Sequence, residues 1–461
     1  MKHIVIRELM NSIFKLRFLL LGSILVLLFA FSSMAFLADY GNKIEEYESP
    51  QQLLNKQLSD TRKPDGILGL HIFVQRPINI LREPHQLSFC VNGNDDTLPN
   101  YFSVDNKNYQ YVNSAIKRKD QNPWVKTFGT LDWVYMIGII GSFMAITLSY
   151  DAFTGDKEEG TLRLLLSNSI PRYKLLLGKF FGIFLTLIIP LMIGYLISLI
   201  IINLSNIVSI GISDFPQILL IIILSLIYLS VFIFIGLFVS SMSHNSSASL
   251  IILLFMWIVY TLIIPGSSTI FARTVYKIPR NEEIVKQSWE SYNDVMKTMS
   301  GSNRAKFSKT ERARNQYEAY RVRGEVSDRY RRKKFAQLDI ARLFSRFSPQ
   351  GPFKFAAEAL AGVGIPRQKS LIEQLKIYKN SLADFILSEE RRISDNPNGI
   401  LHFNTLPQEP FNMEAIPVFK EKPMTVREGL RSSLPDVGLL VLYGIVFFAA
   451  AFVSFNRYDV R

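Results

Sequence analysis

Residues 215–241 read FPQILLIIILSLIYLSVFIFIGLFVSS, an apolar stretch without a charged side chain. A helix needs roughly 20 such residues to cross about 30 Å of hydrocarbon. Five further apolar runs with no charge near their middle lie elsewhere in the chain, at 17–38, 131–150, 175–203, 247–265 and 436–455. Together the runs predict an α-helical polytopic membrane protein with six transmembrane helices.

The composition agrees with a membrane protein, because 48% of the 461 residues are hydrophobic and only 20% are charged. The run at 17–38 follows several basic residues, as a signal peptide would. Its length exceeds the roughly 7 to 15 residues of a signal-peptide core, and the following SSMAFLADY offers no clean small-x-small cleavage site. We therefore expect a retained membrane anchor.

Residues 1–16 predict an amphipathic helix ahead of the first span. Apolar side chains recur at helical spacing on one face, at Ile6, Leu9, Met10, Ile13 and Phe14. This pattern suits a helix lying in the membrane interface. A plain helical extension of the anchor satisfies the same pattern, so both interpretations remain open.

Basic residues predict the orientation of the spans. The loop 151–174 and the N-terminal segment are short and basic, and the tail 456–461 carries Arg457 and Arg461. Short basic loops stay in the cytoplasm, whereas long domains cross the membrane largely regardless of charge. We therefore expect both termini in the cytoplasm and two extracytoplasmic insertions at 39–127 and 266–434.

The two insertions differ in their predicted structure. The first contains GILGLHIFVQRPINIL, which indicates strand or buried core, so we predict a small mixed domain. The second is mainly helical by its pattern. Its predicted helices lie at Asn281–Met299, Ser308–Phe347, Phe353–Ala361 and Pro366–Arg392.

Signatures of catalysis and metal binding are missing from the sequence. There is no P-loop. The stretch LLLGKFFG looks similar, but Tyr173, two residues before it, stands at the position of the first glycine, and Phe180 stands at that of the hydroxyl residue. The five histidines show no ligand spacing, and the lone Cys90 is best interpreted as a buried apolar side chain. We therefore expect no enzymatic activity, no metal site and no cofactor in this chain.

The predicted spans offer no relay of ionisable residues that would drive ion-coupled transport. Asp132 and Asp436 fall at the outer ends of their spans, where snorkelling or a helix N-terminus explains them. If the protein moves a substrate, the energy therefore has to come through a partner.

The loop YDAFTGDKEEGTLRLLLSNSIPRYKLLLGKFFG, residues 150–182, is acidic and punctuated by glycine. Asp156, Glu158 and Glu159 cluster where a short helix would begin, and Leu162 and Leu165 share one side of it. Such a helix suits docking of a cytoplasmic protein. An interfacial loop with leucines in lipid and solvated carboxylates fits the same residues.

This loop resembles the signature cytoplasmic loop of ABC-2 type transporter permeases. The shared features are a tyrosine, a Gly-x-Lys-Glu-x-Gly-Thr-Leu element, Leu-Leu-Ser and Leu-x-x-Gly-Lys, in that order. The N-terminal REL at Arg7–Leu9 and the six-span layout are also similar. The segment Arg342–Ile365, RLFSRFSPQGPFKFAAEALAGVGI, resembles that of the subgroup with large extracytoplasmic domains after the first and fifth spans.

The resemblance implies a permease subunit of an exporter. Two permease chains, identical or paralogous, would sit on two copies of a separate cytoplasmic ABC ATPase that binds ATP and Mg²⁺. In such proteins the loop after the second span forms a coupling helix on the ATPase. Carried over to this chain, Gly155 would give the turn, Glu158 and Glu159 would face the ATPase, and Gly160, Thr161 and Leu162 would enter the docking surface. The coupling residues that it implies here are Gly155, Asp156, Glu158, Glu159, Gly160, Thr161, Leu162 and Leu165.

An alternative function uses the same loop. The ATPase would work the chain as a membrane lever or anchor that acts on an extracytoplasmic partner without passing any substrate. Packed helices suffice for a lever, whereas an exporter needs a cavity between chains.

A cluster of basic residues in the second insertion has two interpretations. Arg329, Arg331, Arg332, Lys333 and Lys334 could bind anionic membrane lipids or an acidic extracytoplasmic protein. They could equally form a solvated face paired with nearby carboxylates. Nucleic acid is not expected as a partner, because this region faces away from the cytoplasm.

Overall fold

The computed structural model describes residues 2–60, 77–93, 98–105, 111–115, 131–167, 171–297, 308–393 and 415–457. Within them, six helical segments are long and apolar enough to cross a membrane, which confirms the predicted number of spans. We number them spans 1 to 6 in chain order: Leu16–Glu48, Trp133–Glu158, Arg172–Leu204, Ile212–Met242, Ser246–Val275 and Val426–Arg457. The chain is an α-helical polytopic membrane protein.

The N-terminal helix α1 covers Lys2–Ile13, and span 1 is part of α2, Leu16–Asp60. At 1.5 Å per residue, a helix of 45 residues is about 67 Å long, more than twice the hydrocarbon thickness. The helix therefore continues far beyond its apolar run at 17–38. This continuation occupies the start of the segment predicted as the first insertion.

Spans 2 and 5 each contain one π turn. Span 2 consists of α3 (Trp133–Met136), the π turn Ile137–Gly141 and α4 (Ser142–Ser149), followed by the short helix α5 (Thr154–Glu158). Span 5 consists of α9 (Ser246–Ile258), the π turn Val259–Ile263 and α10 (Ile264–Val275). A π turn leaves a carbonyl without its usual helical partner, and side chains of neighbouring elements supply donors here.

The remaining spans are continuous helices. A helix α6 (Thr161–Ser167) precedes span 3, which is α7 (Arg172–Leu204). Span 4 is α8 (Phe215–Met242) with a short 3-10 turn before it, and span 6 is α15 (Val426–Arg457).

The first insertion contains a small antiparallel sheet in order β1-β2-β3: Ile78–Leu81, Tyr101–Asp105 and Tyr111–Ala115. Ile80 lies opposite Phe102 in the β1–β2 pair, and both are buried. The face they share packs against Leu371 and Leu375 of the second insertion. The two insertions therefore share a hydrophobic core.

The second insertion consists of α11 (Asn281–Lys297), α12 (Lys309–Ser345), α13 (Gln350–Ala361) and α14 (Gly364–Ile393) among the described residues. Ser308 and Glu311 form a reciprocal capping box at the start of α12, which fixes its first turn. The mainly helical character of this segment agrees with the pattern in the sequence.

Helix α13 is buried along its whole length and wedged between the spans. Phe353 stacks on Tyr228 of α8 with ring centroids 4.2 Å apart, and the Tyr228 hydroxyl bonds to both Gln350 and the carbonyl of Gly138, the latter at 2.8 Å. A Cβ added at Gly429 of α15 would lie 2.7 Å from the Ala359 carbonyl oxygen. The backbones of α13 and α15 therefore approach each other closely, and glycine at position 429 makes this possible.

The two aspartates at span ends have different roles. Asp132 caps the N-terminus of α3, since its side chain accepts from the Tyr135 N–H at 2.6 Å. Asp436 lies well inside α15 and binds the Arg346 guanidinium through two bonds of 2.7 and 3.0 Å. The sequence-based explanation of Asp436 by snorkelling or helix start is therefore wrong: an arginine from the second insertion pairs with it.

The bundle has two distinct ends. At one end, Lys15 lies 3.1 Å from Asp151, and the Arg172 guanidinium donates to the Phe455 carbonyl at 2.9 Å. We call this the loop end, because it holds α1, residues 151–167, the turn between α8 and α9, and the end of α15. The insertions lie at the opposite end, which we call the insertion end.

Candidate coupling site at the loop end

The acidic loop forms two short helices joined by a glycine turn. Helix α5 ends at Glu158, and α6 begins at Thr161. Gly160 between them has a φ of 71°, a left-handed conformation that glycine adopts without steric cost. The turn was expected at Gly155, but Gly155 lies within α5. Gly160 makes the turn because it stands where the chain must reverse between the helices.

Just before α5, Asp151 joins the loop to span 1. Its carboxylate lies 3.1 Å from the Lys15 ammonium and also pairs with the guanidinium of Arg17. The same guanidinium bonds to the Tyr150 hydroxyl and lies over the Tyr150 ring, 4.8 Å from its centroid. The charges fix the start of α2 against the end of span 2.

Inside α5, Asp156 faces a buried lysine of span 3. Lys179 is 2% exposed, and its ammonium lies 2.6 Å from an Asp156 oxygen and 2.8 Å from a Glu8 oxygen of α1. The ring of Phe153 lies 5.6 Å from the same ammonium. Two carboxylates from separate helices thus compensate one buried cation, which is the condition for burying it.

The next two residues of α5 hold the turn between spans 4 and 5. Lys157 donates to the carbonyls of Ser241 and Ser243 at 2.7 and 2.8 Å, at the C-terminal end of α8. Glu158 accepts from the Ser246 N–H at 2.6 Å and from its hydroxyl at 2.8 Å, at the first residue of α9. A cation at a helix C-terminus and an anion at an N-terminus both complement the helix dipole.

Phe153 completes the set of contacts with span 6. Its ring stacks on Phe455 of α15 with centroids 4.5 Å apart, and both rings are buried. The Ser240 hydroxyl of α8 accepts from the Phe153 N–H at 2.9 Å and from the Thr154 N–H at 3.2 Å. Residues 151–158 therefore contact the ends of the five other spans, and we call this segment the α5 hub.

The structure divides the residues implied by the family resemblance into two groups. Asp156 and Glu158 bind neighbouring helices, Thr161 contacts the Asp156 carboxylate at 3.2 Å, and Leu162 is 1% exposed. Glu159 and Gly160 are exposed, and Leu165 packs partly against the core. Leu162 therefore faces the bundle and not the outside, because the α6 helix turns that side inward. The docking role of these residues stays a prediction.

Two features of this site escaped the sequence reasoning. Leu164, on α6, is 69% exposed beside exposed Arg163, although Leu162 and Leu165 were taken as the apolar face. Lys179 falls within the predicted span 175–203, and the sequence reasoning gave it no role. A lysine inside an apolar run is a signal in itself, because an ammonium there needs a partner.

The basic cluster of the second insertion lies on α12. Arg329, Arg332, Lys333 and Lys334 are exposed, whereas Arg331 is partly buried and lies 3.2 Å from Asp328. A ligand or partner at this face stays a prediction.

Metal and thiol chemistry find no support in the described ranges. No group of three or more His, Cys, Asp or Glu side chains there could hold a metal ion. Cys90 is fully buried, as expected, and burial raises the pKa of its thiol well above the ordinary value. Because the thiolate is the reactive form, this side chain is inert in the folded protein. His71 and His402 lie outside the described residues.

The fold and the α5 hub define a class: a helical membrane protein in which one loop is joined to every span. The chain belongs to the ABC-2 family of transporter proteins, whose family model matches residues 3–460. It is an ABC-2 family permease.

Curated relatives share a shorter stretch with the chain. It is 48% identical over 52 residues to a probable ABC transporter permease protein NosY of Pseudomonas aeruginosa, and 46% identical over 52 residues to the protein of the same name in Stutzerimonas stutzeri. The match covers 11% of this chain and only 19% of each relative.

Proposed function

We propose that this chain is the membrane subunit of an exporter, driven by a separate cytoplasmic ABC ATPase that docks on α5 and α6. One observation supports the proposal above others: the α5 hub contacts the ends of the five other spans. A displacement of this segment therefore reaches the whole bundle. ATP and Mg²⁺ bind in the ATPase, and the permease responds by a shift between two packed states.

The docking face consists of residues on the outer side of the loop. Glu159, Gly160, Arg163 and Leu164 are exposed there, on and just before α6. An exposed leucine next to an exposed arginine suits a protein interface, which combines apolar and polar side chains. Asp156 and Leu162 support this face from the inside, and Glu158 ties it to the start of α9.

The loop end is cytoplasmic in this proposal. Lys15, Arg17, Arg172 and Arg457 all lie at this end, in agreement with the tendency of short basic segments to stay inside. Both termini are then cytoplasmic, and the chain lies in the bacterial inner membrane. Two permease chains, identical or paralogous, and two ATPase copies complete the assembly, with membrane lipids around it.

A second candidate function is supported by the α13 wedge. This helix belongs to the second insertion, yet it packs against α8 and α15 within the bundle, and Arg346 next to it pairs with Asp436. A shift of the spans would therefore move the insertion. The ATPase could in this way work the chain as a lever on an extracytoplasmic protein, with exposed Arg329, Arg332, Lys333 and Lys334 as the contact face.

Purification in a mild detergent, followed by mass spectrometry of the retained proteins, tests the proposal. We expect an ABC ATPase with the wild-type chain, and its loss with Glu159→Lys or Leu164→Asp. The matched controls Glu290→Lys and Val285→Asp alter exposed residues of α11 at the insertion end and should retain it. Absence of an ATPase from the wild-type sample would overturn the proposal.

The same sample separates the two candidate functions. A lipid or peptide bound in the purified complex favours export, whereas a stoichiometric envelope protein favours the lever. Loss of such a protein on neutralising Lys333 and Lys334 would place it at the basic face of α12.

A further inference from the structure

Lys179 occupies a position that joins three helices. It lies in the second turn of α7, is 2% exposed, and forms ion pairs with Glu8 of α1 and Asp156 of α5, at 2.8 and 2.6 Å. Burial of an ammonium is unfavourable unless its charge is paired and its hydrogens are bonded. The buried ammonium of Lys179 therefore depends on the two carboxylates, which are themselves partly exposed.

Close packing holds α1 on α7 beside this cluster. A Cβ added at Gly178 would lie 2.7 Å from Ile4 Cγ2, and one added at Gly182 would lie 2.5 Å from Glu8 Cβ. Glycine at these two positions lets the helices approach closely and leaves no room for a larger side chain. The axis of α1 is thus set by contact, and Glu8 is aimed at Lys179.

A second pair of contacts closes the unit. Asp151, five residues before Asp156, pairs with Lys15 and Arg17, which follow α1 in the chain. The segment 151–156 is therefore fixed at both of its ends, once through α7 and once through the start of α2. A buried ion pair contributes little to stability relative to apolar packing, but it specifies one geometry.

We propose that Lys179 is a positioning residue that makes α1, α5 and the first turns of α7 move as one body. The inference rests on the proposed function, because the displacement to be transmitted is that imposed by the ATPase on α5 and α6. With Lys179 in place, that displacement reaches span 3 and the N-terminal helix together. Without it, α5 and α6 move while α1 and α7 stay behind.

The distance between spin labels on α1 and α6 tests whether the unit is rigid. Labels replace exposed Arg7 and Arg163, and the buried Cys90 does not compete for them. We expect one narrow distance distribution in the wild-type permease, measured without the ATPase because Arg163 lies on the proposed docking face. Lys179→Met should broaden it. Lys174→Met, an exposed lysine on the same helix, is the matched control and should leave it narrow.

A second variant addresses the case in which Lys179→Met does not fold. Glu8→Gln removes the α1 partner and keeps the pair between Lys179 and Asp156. It should broaden the α1–α6 distance and leave the distance from Arg163 to Lys174 unchanged. If the α1–α6 distance distribution of either variant equals that of the wild type, the inference is overturned.

ATP turnover of the assembled complex gives the functional readout. For Lys179→Met we expect the ATPase to remain bound, the KM for ATP to stay unchanged, and kcat to fall about tenfold, since the coupling and not nucleotide binding is lost. Lys179→Arg should recover most of kcat. A wild-type kcat in Lys179→Met would contradict the inference. Failure of the proposed function gives a different result: the wild-type permease itself would then retain no ATPase on purification.

Discussion

Two short helices connect the spans at opposite ends of this protein. The α5 hub at the loop end binds its neighbours mainly through charged side chains, with Asp151, Asp156, Lys157 and Glu158 each directed to a different element. The α13 wedge at the insertion end is buried along its length and uses mainly aromatic stacking, glycine contacts and one amide–hydroxyl bond, with a single ion pair from Glu358 to Arg342 at 3.1 Å. The two helices therefore join the spans with a different balance of charged and apolar contacts.

The depth of each helix in the membrane accounts for the difference. Tyr228, which stacks on α13, is near the middle of the 28-residue helix α8, about 20 Å from either end. Charges at that depth are costly, so Tyr228 meets α13 through the neutral side chains Phe353 and Gln350. The α5 hub lies at the end of the bundle, where water and lipid headgroups reduce the cost of an ion.

Removing the central ring of the wedge should give the largest effect. Phe353→Ala leaves a cavity beside Tyr228, and we expect a loss of about 3 to 5 kcal/mol in the free energy of unfolding. Thermal unfolding in detergent, followed by tryptophan fluorescence, measures it. Phe347→Ala alters a ring that is 68% exposed and should change little. A small effect of Phe353→Ala would show that α13 is not packed as a wedge.

Breaking one charged contact of the hub should cost less. Glu158→Ala removes the acceptor of the Ser246 N–H and hydroxyl, and we expect a loss of about 1 to 2 kcal/mol. Glu159→Ala, next in the chain but exposed, should stay within about 0.5 kcal/mol of the wild type. The same unfolding measurement compares them. Equal losses would mean that Glu158 does not anchor α9 as its geometry indicates.

Effects of similar or smaller size concern the loop glycines, and they distinguish the turn from the helix. Gly160→Ala meets no atom within 4 Å, so its cost is only that of the left-handed backbone, about 1 to 2 kcal/mol at most. Gly155→Ala lies inside α5 and should be neutral or stabilising by about 0.5 to 1 kcal/mol. Gly160→Ala should therefore lower the free energy of unfolding, and Gly155→Ala should leave it unchanged or raise it. If only Gly155→Ala destabilises the protein, the turn lies at Gly155 and not at Gly160.

The sequence predicted the spans well and the contacts between them poorly. The number of spans follows from apolar runs alone, because a helix is the local solution to satisfying the backbone in hydrocarbon. Asp156 and Lys179 are 23 positions apart in the chain, and their ion pair depends on how α5 folds back on α7. The partner of Asp436, Arg346, lies in another domain 90 residues away, and no local pattern indicates it.

The acidic loop shows the same limit within a single motif. Family resemblance pointed to this segment as the coupling loop, since the spacing of its glycines and carboxylates is visible in the chain, and that role stays a prediction. It did not separate Glu158, which binds the first residue of α9, from Glu159, which follows the end of α5. That distinction depends on which side of α5 meets the turn between α8 and α9.

By itself the sequence determined the membrane class, six spans, a mainly helical second insertion and the segment in which coupling is expected. Hydropathy and helical periodicity are local properties, and they are readable without knowing the fold. Only the tertiary structure decided that α5 joins all spans, that α13 enters the bundle and that Lys179 is shared by two carboxylates. These contacts arise between residues distant in the chain, and their energy depends on a burial that exists only once the helices have packed.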